Sequence, residues 1–288
     1  MLSVWPFGSN DFDVRGKVVV ITGAGQGIGL AAAKILYGRG ARIAILDVDA
    51  SSAAQAAESL GRNALAIPVD VRDRPAMAAA IEKVTGHFGR LDVVVANAGV
   101  VPAPATLRTI DPADFDRVLG INLTGVFNTI HPALDQVIEN HGHVVVVGSC
   151  AAFSPPVGGS PYMISKAAVE QLGRALHLEL AAVGASAGVV YFGIVDTQMT
   201  RDAMDDDEIG RELDGLLPWP LSRRISADEA ARVIADAIKS RAAQAMAPAG
   251  WDVYALLRGV ANVAVDRQLI TDRKLHALIH KIEARKGA

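Results

Sequence analysis

The chain has 288 residues and a single cysteine, Cys150. One thiol excludes an intrachain disulfide and a multi-cysteine metal site, and is compatible with a reducing compartment. An excess of basic charge is also missing. The formal net charge is −3, with both signs interspersed, so the footprint of a nucleic-acid binder is absent. No apolar run reaches the length of a membrane span. The N-terminal stretch Met1-Leu2-Ser3-Val4-Trp5-Pro6-Phe7 is apolar but short. It lacks a basic leading region and is broken by Pro6, unlike a signal peptide. A soluble cytoplasmic protein is the expectation. There is no internal repeat and no metal-ligand pattern. What the chain does have is 51% hydrophobic residues, enough for a sizeable buried core.

Val18-Val19-Val20-Ile21 is a β-branched run of the kind buried on both faces of a parallel sheet. It feeds Thr22-Gly23-Ala24-Gly25-Gln26-Gly27-Ile28-Gly29 and an Ala-rich helical stretch from Leu30 to Leu36. Strand, glycine turn and helix together cradle a pyrophosphate: the glycines admit close backbone approach, and the helix start offers unpaired N–H groups. The spacing is not G-x-G-x-x-G, because its third glycine position falls on Ile28. It reads T-G-x-x-x-G-x-G instead. A second strand, Ile43–Leu46, ends at Asp47, placed to accept hydrogen bonds from an adenosine ribose and to repel a 2′-phosphate. Gln26, Val48 and Asp49 offer no cation for such a phosphate, so NAD is expected rather than NADP. Asp47 could alternatively cap the next helix, a task open to Asp49 or Ser51 as well.

The alternation continues. Strands are expected at Ala64–Val69, closed by Asp70-Val71, and at Leu91–Ala96, followed by Asn97-Ala98-Gly99. A long helix over about 111–140 opens on Asp111-Pro112 and contains Asn122, a weak helix former. A fifth strand, His143–Val147, leads to Ser149. Further strands follow at Ser186–Tyr191 and, at an edge, Ala243–Ala247. The pattern predicts an α/β fold: a doubly wound, Rossmann-type parallel sheet of about seven strands with helices on both faces, its ligand at the C-terminal strand ends. Residues 14–249 would form this single domain. Residues 1–13 precede it, and a helical extension over 250–288 packs on it. The stretch from about 195 to 225, with its acidic cluster Asp205–Glu208, reads as a candidate mobile lid or an ordinary solvated surface helix. The tail could cover a pocket, build an oligomer contact or touch a membrane surface.

Tyr162 and Lys166 are four residues apart at the start of a strongly helical segment, which puts phenol and ammonium on one helix face. A cation beside a phenol lowers its pKa, and such a tyrosine can exchange a proton with an alcohol or a carbonyl.

With these pieces in order, the sequence resembles the short-chain dehydrogenase/reductase (SDR) family over about residues 14–246. The resemblance rests on Thr22-Gly23-x-x-x-Gly27-x-Gly29, Asp70-Val71, Asn97-Ala98-Gly99, Asn122, Ser149 and Tyr162-x-x-x-Lys166. It implies a catalytic tetrad of Asn122, Ser149, Tyr162 and Lys166, with Asn122 holding a water that connects Lys166 to solvent. It also implies cofactor contacts from Gly23, Gln26, Gly27, Ile28, Asp47, Asp70, Val71, Asn97, Ala98, Gly99, Gly193, Val195 and Thr197, and from Tyr162 and Lys166. Phe192 stands where the family often has proline. An NAD-dependent interconversion of a secondary alcohol and a ketone follows as the expectation. The alternatives are an NADPH-dependent carbonyl or 3-ketoacyl reductase and a non-catalytic dinucleotide-binding scaffold. Cys150, Phe153, Val157, Met199 and Trp219 suggest an apolar substrate pocket for a hydrophobic alcohol or ketone. The family resemblance implies a homotetramer or homodimer built through residues 111–140 and 160–183.

Overall fold

The computed structural model describes residues 11–153 and 157–285. The apolar N-terminal stretch, part of the loop before Tyr162 and the last three residues lie outside them. The sheet is parallel throughout. It is built from β1 (Val18–Thr22), β2 (Arg42–Asp47), β3 (Ala64–Pro68), β4 (Val93–Ala96), β5 (His143–Val147) and β6 (Ser186–Phe192), with β9 (Gln244–Ala247) at its edge. Their order is β3-β2-β1-β4-β5-β6-β9, so the chain winds outward in both directions from β1. A separate two-residue pair joins β7 (Val195–Asp196) to β8 (Ile225–Ser226).

Every residue of β1, β4, β5 and β6 is buried, as continuous Val-rich runs demand when helices cover both faces. Alternate residues feed opposite layers. Val18 and Val20 face the layer that holds Met77, Val126 and Val169, while Val19 and Ile21 face the one that holds Ala32, Leu36 and Ile234. Burying each Val or Ile is worth about 1.5–3 kcal/mol.

The first layer comprises α3 (Arg74–Phe88), α4 (Pro112–Leu119), α5 (Gly125–Ile130), α6 (Leu134–Glu139) and α7 (Ser160–Ala181). The second comprises α1 (Gly27–Gly38), α2 (Ala50–Leu60) and α10 (Ala227–Ser240). α7 lies close on β6 because Gly173 has no side chain: a Cβ there would stand 2.3 Å from a Val189 methyl carbon. The capping chemistry settles the role of the acids after β2. Asp49 caps α2 by accepting from Ser51 and Ser52, while Asp47 accepts from the backbone N–H groups of Asp49 and Gly25. Ser226 and Glu229 form a full capping box on α10.

One region differs from the sequence pattern. The helix expected over 111–140 is not continuous. It widens to a π-helical turn at Gly120–Thr124 and tightens to a 3₁₀ turn at His131–Ala133. Asn122 sits in the wide turn with its side chain turned into the protein, where it bonds the backbone of Val100. The stretch 195–224 is largely helical, in line with the surface-helix alternative. It holds α8 (Gln198–Thr200), a second π-helical turn at Arg201–Asp205, and α9 (Glu208–Asp214). Arg224 ties it together by bonding both Asp205 and Asp214.

The tail forms α11 (Trp251–Leu269) and α12 (Arg273–Ala284). Trp251 is buried against the sheet layer, and Leu278 and Ile282 pack on Ile209 of α9. No helix among the described residues is long and apolar enough to cross a membrane.

Candidate active site

A cleft of about 790 Å³ opens at the C-terminal ends of β1, β2, β4, β5 and β6. This is where the strand order reverses, and where a doubly wound sheet places its ligand. The glycine turn forms its floor. Gly23 has φ +62° and lies against Ala98, while a Cβ on Gly29 would stand 2.4 Å from the Gly23 carbonyl. Only glycine fits both positions. α1 begins at Gly27 behind Gln26, with no side-chain cap and no acid in its first turn. Its leading N–H groups and positive dipole end therefore remain available to an anion.

Neighbouring polar groups fix this turn. Asn97 donates from Nδ2 to the carbonyls of Thr22 and Gly23, at 2.9 and 3.1 Å. The backbone N–H groups of Asn97 and Ala98 donate to Thr22 Oγ1. Asp47 Oδ2 accepts from the Gly25 N–H at 2.8 Å, and a Cβ on Gly25 would collide with that carboxylate. Gly25, a variable position in the motif, is thus tied to Asp47. Asp70 pairs with Arg72 at 2.6 Å, and the guanidinium holds its carboxyl below the usual range. Three cations absent from the sequence reading, Lys34, Arg72 and Arg201, also line the cleft, Arg201 paired with Asp196. Lys34 lies 13 residues before Asp47 on α1, so no local pattern signalled it. Arg72 follows Asp70 by two residues.

At the other end, β5 delivers Ser149 and α7 delivers Tyr162 and Lys166; all three line the cleft. Lys166 is buried and donates from Nζ to the Val147 carbonyl at 2.9 Å. Its Nζ lies 5.6 Å from the centre of the Tyr162 ring. Burial pulls its pKa down to about 8. Tyr162 differs from the sequence expectation of a phenol lowered by its lysine. Burial raises its pKa above the ordinary value, a Ser149 hydrogen bond works the other way, and Cys150 adds to the rise. Desolvation of the phenol outweighs the Ser149 hydrogen bond.

Asn122 is fully buried. Its Oδ1 accepts from the Val100 N–H at 2.8 Å, and its Nδ2 donates to the Val100 carbonyl and to Ser165 Oγ. It stands behind the cleft, joining the β4 end to α7. Ile28, Val71, Gly99, Gly193, Val195 and Thr197 all line the cleft. Gly193 lies under Trp251, with no room for a Cβ. Phe192 continues β6 in register with Ala247, and its carbonyl accepts from Ser149 Oγ at 3.4 Å.

The suggested apolar pocket is not assembled as expected. Met199 lines the cleft. Cys150 and Phe153 are core residues, and burial pushes the Cys150 thiol far above its ordinary range. Val157 packs with Ile209 and Ile282. Trp219 is 82% exposed. Hydrophobicity near the motif could not separate core from pocket, since both are apolar.

Known proteins give the same reading. The short chain dehydrogenase family model matches residues 17–208. The chain is 34% identical over 258 residues to "Probable oxidoreductase EphD" of Mycobacterium tuberculosis, covering 85% of this chain but only 43% of that protein. It is 34% identical over 198 residues to the 2,3-dihydro-2,3-dihydroxybenzoate dehydrogenase of Bacillus subtilis, covering 67% of this chain and 76% of the relative. Among solved structures, the 3-ketoacyl-(acyl-carrier-protein) reductase of Brucella melitensis, complexed with NADH, superposes with a TM-score of 0.73 at 27% identity. The match covers 83% of this chain and 99% of that one. A glycine cradle at the switch point, with serine, tyrosine and lysine at its far end, and a family match over two thirds of the sequence lead to one conclusion: the chain belongs to the short-chain dehydrogenase/reductase family of nicotinamide-dinucleotide oxidoreductases.

Proposed function

We propose that the chain is an NAD-dependent oxidoreductase interconverting a secondary alcohol and a ketone. One observation carries the reading. A single cleft joins Asp47, bonded to the glycine turn, to Ser149, Tyr162 and Lys166 at its opposite end. Gly23, Gly27, the uncapped start of α1, Asp47, Asn97 and Thr197 would hold a dinucleotide. When bound, that cofactor supplies the hydride acceptor or donor and, in its oxidised form, a positive charge.

The residues divide the remaining work. Ser149 Oγ orients the reacting oxygen by hydrogen bonding. Tyr162 gives that oxygen a proton in reduction and takes one in oxidation. With its pKa raised by burial, Tyr162 is protonated at neutral pH, ready as an acid. Acting as a base requires positive charge beside it. Lys166 supplies part of that charge. Asn122 holds α7 against the β4 end through Val100 and Ser165.

The Asp47 carboxylate at the adenosine end favours NAD, since a 2′-phosphate would lie against a like charge. Lys34 and Arg72 in the same cleft favour the second reading, an NADPH-dependent carbonyl or 3-ketoacyl reductase. Fluorescence titration with NADH and NADPH decides between them: clearly tighter NADPH binding overturns the first. An NAD(H)-coupled screen, beginning with hydrophobic secondary alcohols, identifies the substrate. The cyclic dihydrodiol named for the Bacillus relative makes cyclic members of that class worth including.

A further inference from the structure

The catalytic tyrosine is carried by one element and the serine by another, and a residue of the tail touches both supports. Along α7, Tyr162, Lys166 and Glu170 follow one another at four-residue steps on one face. Glu170 is a buried carboxylate. Arg258 of α11 grips it with both arms, Nη1 to Oε2 at 3.0 Å and Nη2 to Oε1 at 2.7 Å. The same guanidinium lies 4.7 Å over the ring of Phe153. Phe153 closes the short 3₁₀ turn Cys150–Ala152, which Ser149 opens by accepting from the Ala151 N–H. One turn further along α11, Asn262 donates to the Phe153 carbonyl at 2.8 Å, and Tyr254 in turn donates to Asn262 at 2.6 Å. Both ends of the Ser149 turn are therefore held, one by β5 and the other by α11.

We infer that Arg258, aided by Asn262, is a positioning residue that sets the Ser149 turn against the Tyr162 helix. Its place is outside residues 17–208, the part of the chain matched to the family. Glu170 and Arg258 bear opposite charges, so the pair adds no net charge near Tyr162. What it contributes is geometry: it fixes how far Ser149 Oγ stands from the phenol. The inference rests on the proposed role of Tyr162 and Ser149.

The test reads Tyr162 without needing the substrate. The chain has four tyrosines. With [13Cζ]tyrosine, NMR titration of the NAD⁺-saturated protein gives the Tyr162 ionisation midpoint, assigned by comparison with Tyr162→Phe. Arg258→Met alone would leave Glu170 charged and unpaired, and that charge would itself raise the midpoint. The decisive variant is therefore the neutral pair Glu170→Gln with Arg258→Met, which keeps the packing and the net charge. A weakened Ser149 hydrogen bond should raise its Tyr162 midpoint by about 0.5–1 unit, the equivalent of one hydrogen bond. Asn262→Ala, which changes no charge, should move it the same way by less. Arg258→Lys in an otherwise wild-type chain should keep the charge but lose the fork, and so recover only part of the wild-type midpoint. A wild-type midpoint in both the double variant and Asn262→Ala overturns the inference. Failure of the catalytic reading would show elsewhere, as undiminished turnover by Tyr162→Phe.

Discussion

The two ends of the molecule are held by different physics. The cofactor half, from β1 to β5, rests on buried Val-rich strands and on short hydrogen bonds around glycines that accept no side chain. The tail end, α9 with α12, has a small apolar contact at Ile209, Leu278 and Ile282, ringed by ion pairs that reach solvent. Lys281 reaches Glu208 and Glu212, Arg285 reaches Asp207, and Arg108 reaches Glu283. Exposed pairs contribute little and are screened by salt, while desolvated contacts are not. One half is therefore built to keep its shape, and the other can loosen without unfolding the sheet. Tyr162 stands where they meet.

The comparison can be broken in several places, beginning with the largest effect. Tyr162→Phe should lower kcat about 1,000-fold while NADH binding, measured by fluorescence, stays near wild type. Turnover close to wild type would remove the proton-transfer role. Asp47→Ser should shift the ratio of NADPH to NADH affinity by about 100-fold toward NADPH, the scale of a like-charge clash of about 3 kcal/mol. An unchanged ratio would show that Asp47 does not select the cofactor. Gly29→Ala should cost about 1–3 kcal/mol of stability by overpacking the turn, seen as a lower thermal midpoint, because its Cβ meets the Gly23 carbonyl and Asn97.

Lys166 gives a pH signature. Its folded pKa, about 8, lies below the ordinary lysine value, so between the two the unfolded chain binds more protons than the folded one. Stability then gains from Lys166 as pH rises through that window. Relative to Lys166→Met, the wild type should gain thermal stability from pH 8 to pH 10, and a constant difference would contradict the shift. The smallest effect belongs to the tail. Lys281→Ala, or added salt, should speed proteolysis of α12 and change KM by less than about fivefold, with NADH affinity untouched. A matching loss of NADH affinity would show that the two halves are not separable.

Much of the first half is legible in the residues themselves. β-branched runs gave the strands, the T-G-x-x-x-G-x-G spacing gave the turn, and the acid after β2 lies bonded to that turn. These are local signals: each element announces itself within about ten residues. The edge strand at Gln244–Ala247 was readable for the same reason. The wide turn at Asn122 was only half visible. Asparagine is a poor helix former, but nothing local says that its side chain would reach Val100 and Ser165. The acidic cluster Asp205–Glu208 looked like a lid or a solvated face because its partners Arg224, Lys281 and Arg285 are distant in sequence. Phe153 and Trp219 were placed in a pocket on hydrophobicity, which does not say whether a side chain ends in the core, in a cleft or in water.

By itself, then, the sequence determined a doubly wound parallel sheet, a glycine turn between its first strand and first helix, and a serine, tyrosine and lysine in fixed order, because periodicity, turn chemistry and spacing are properties of neighbouring residues. Only the tertiary structure decided the sign of the Tyr162 shift, the burial of Phe153 and the grip of Arg258 on Glu170. Desolvation and long-range ion pairing depend on which distant segments come together, and no local pattern carries that information.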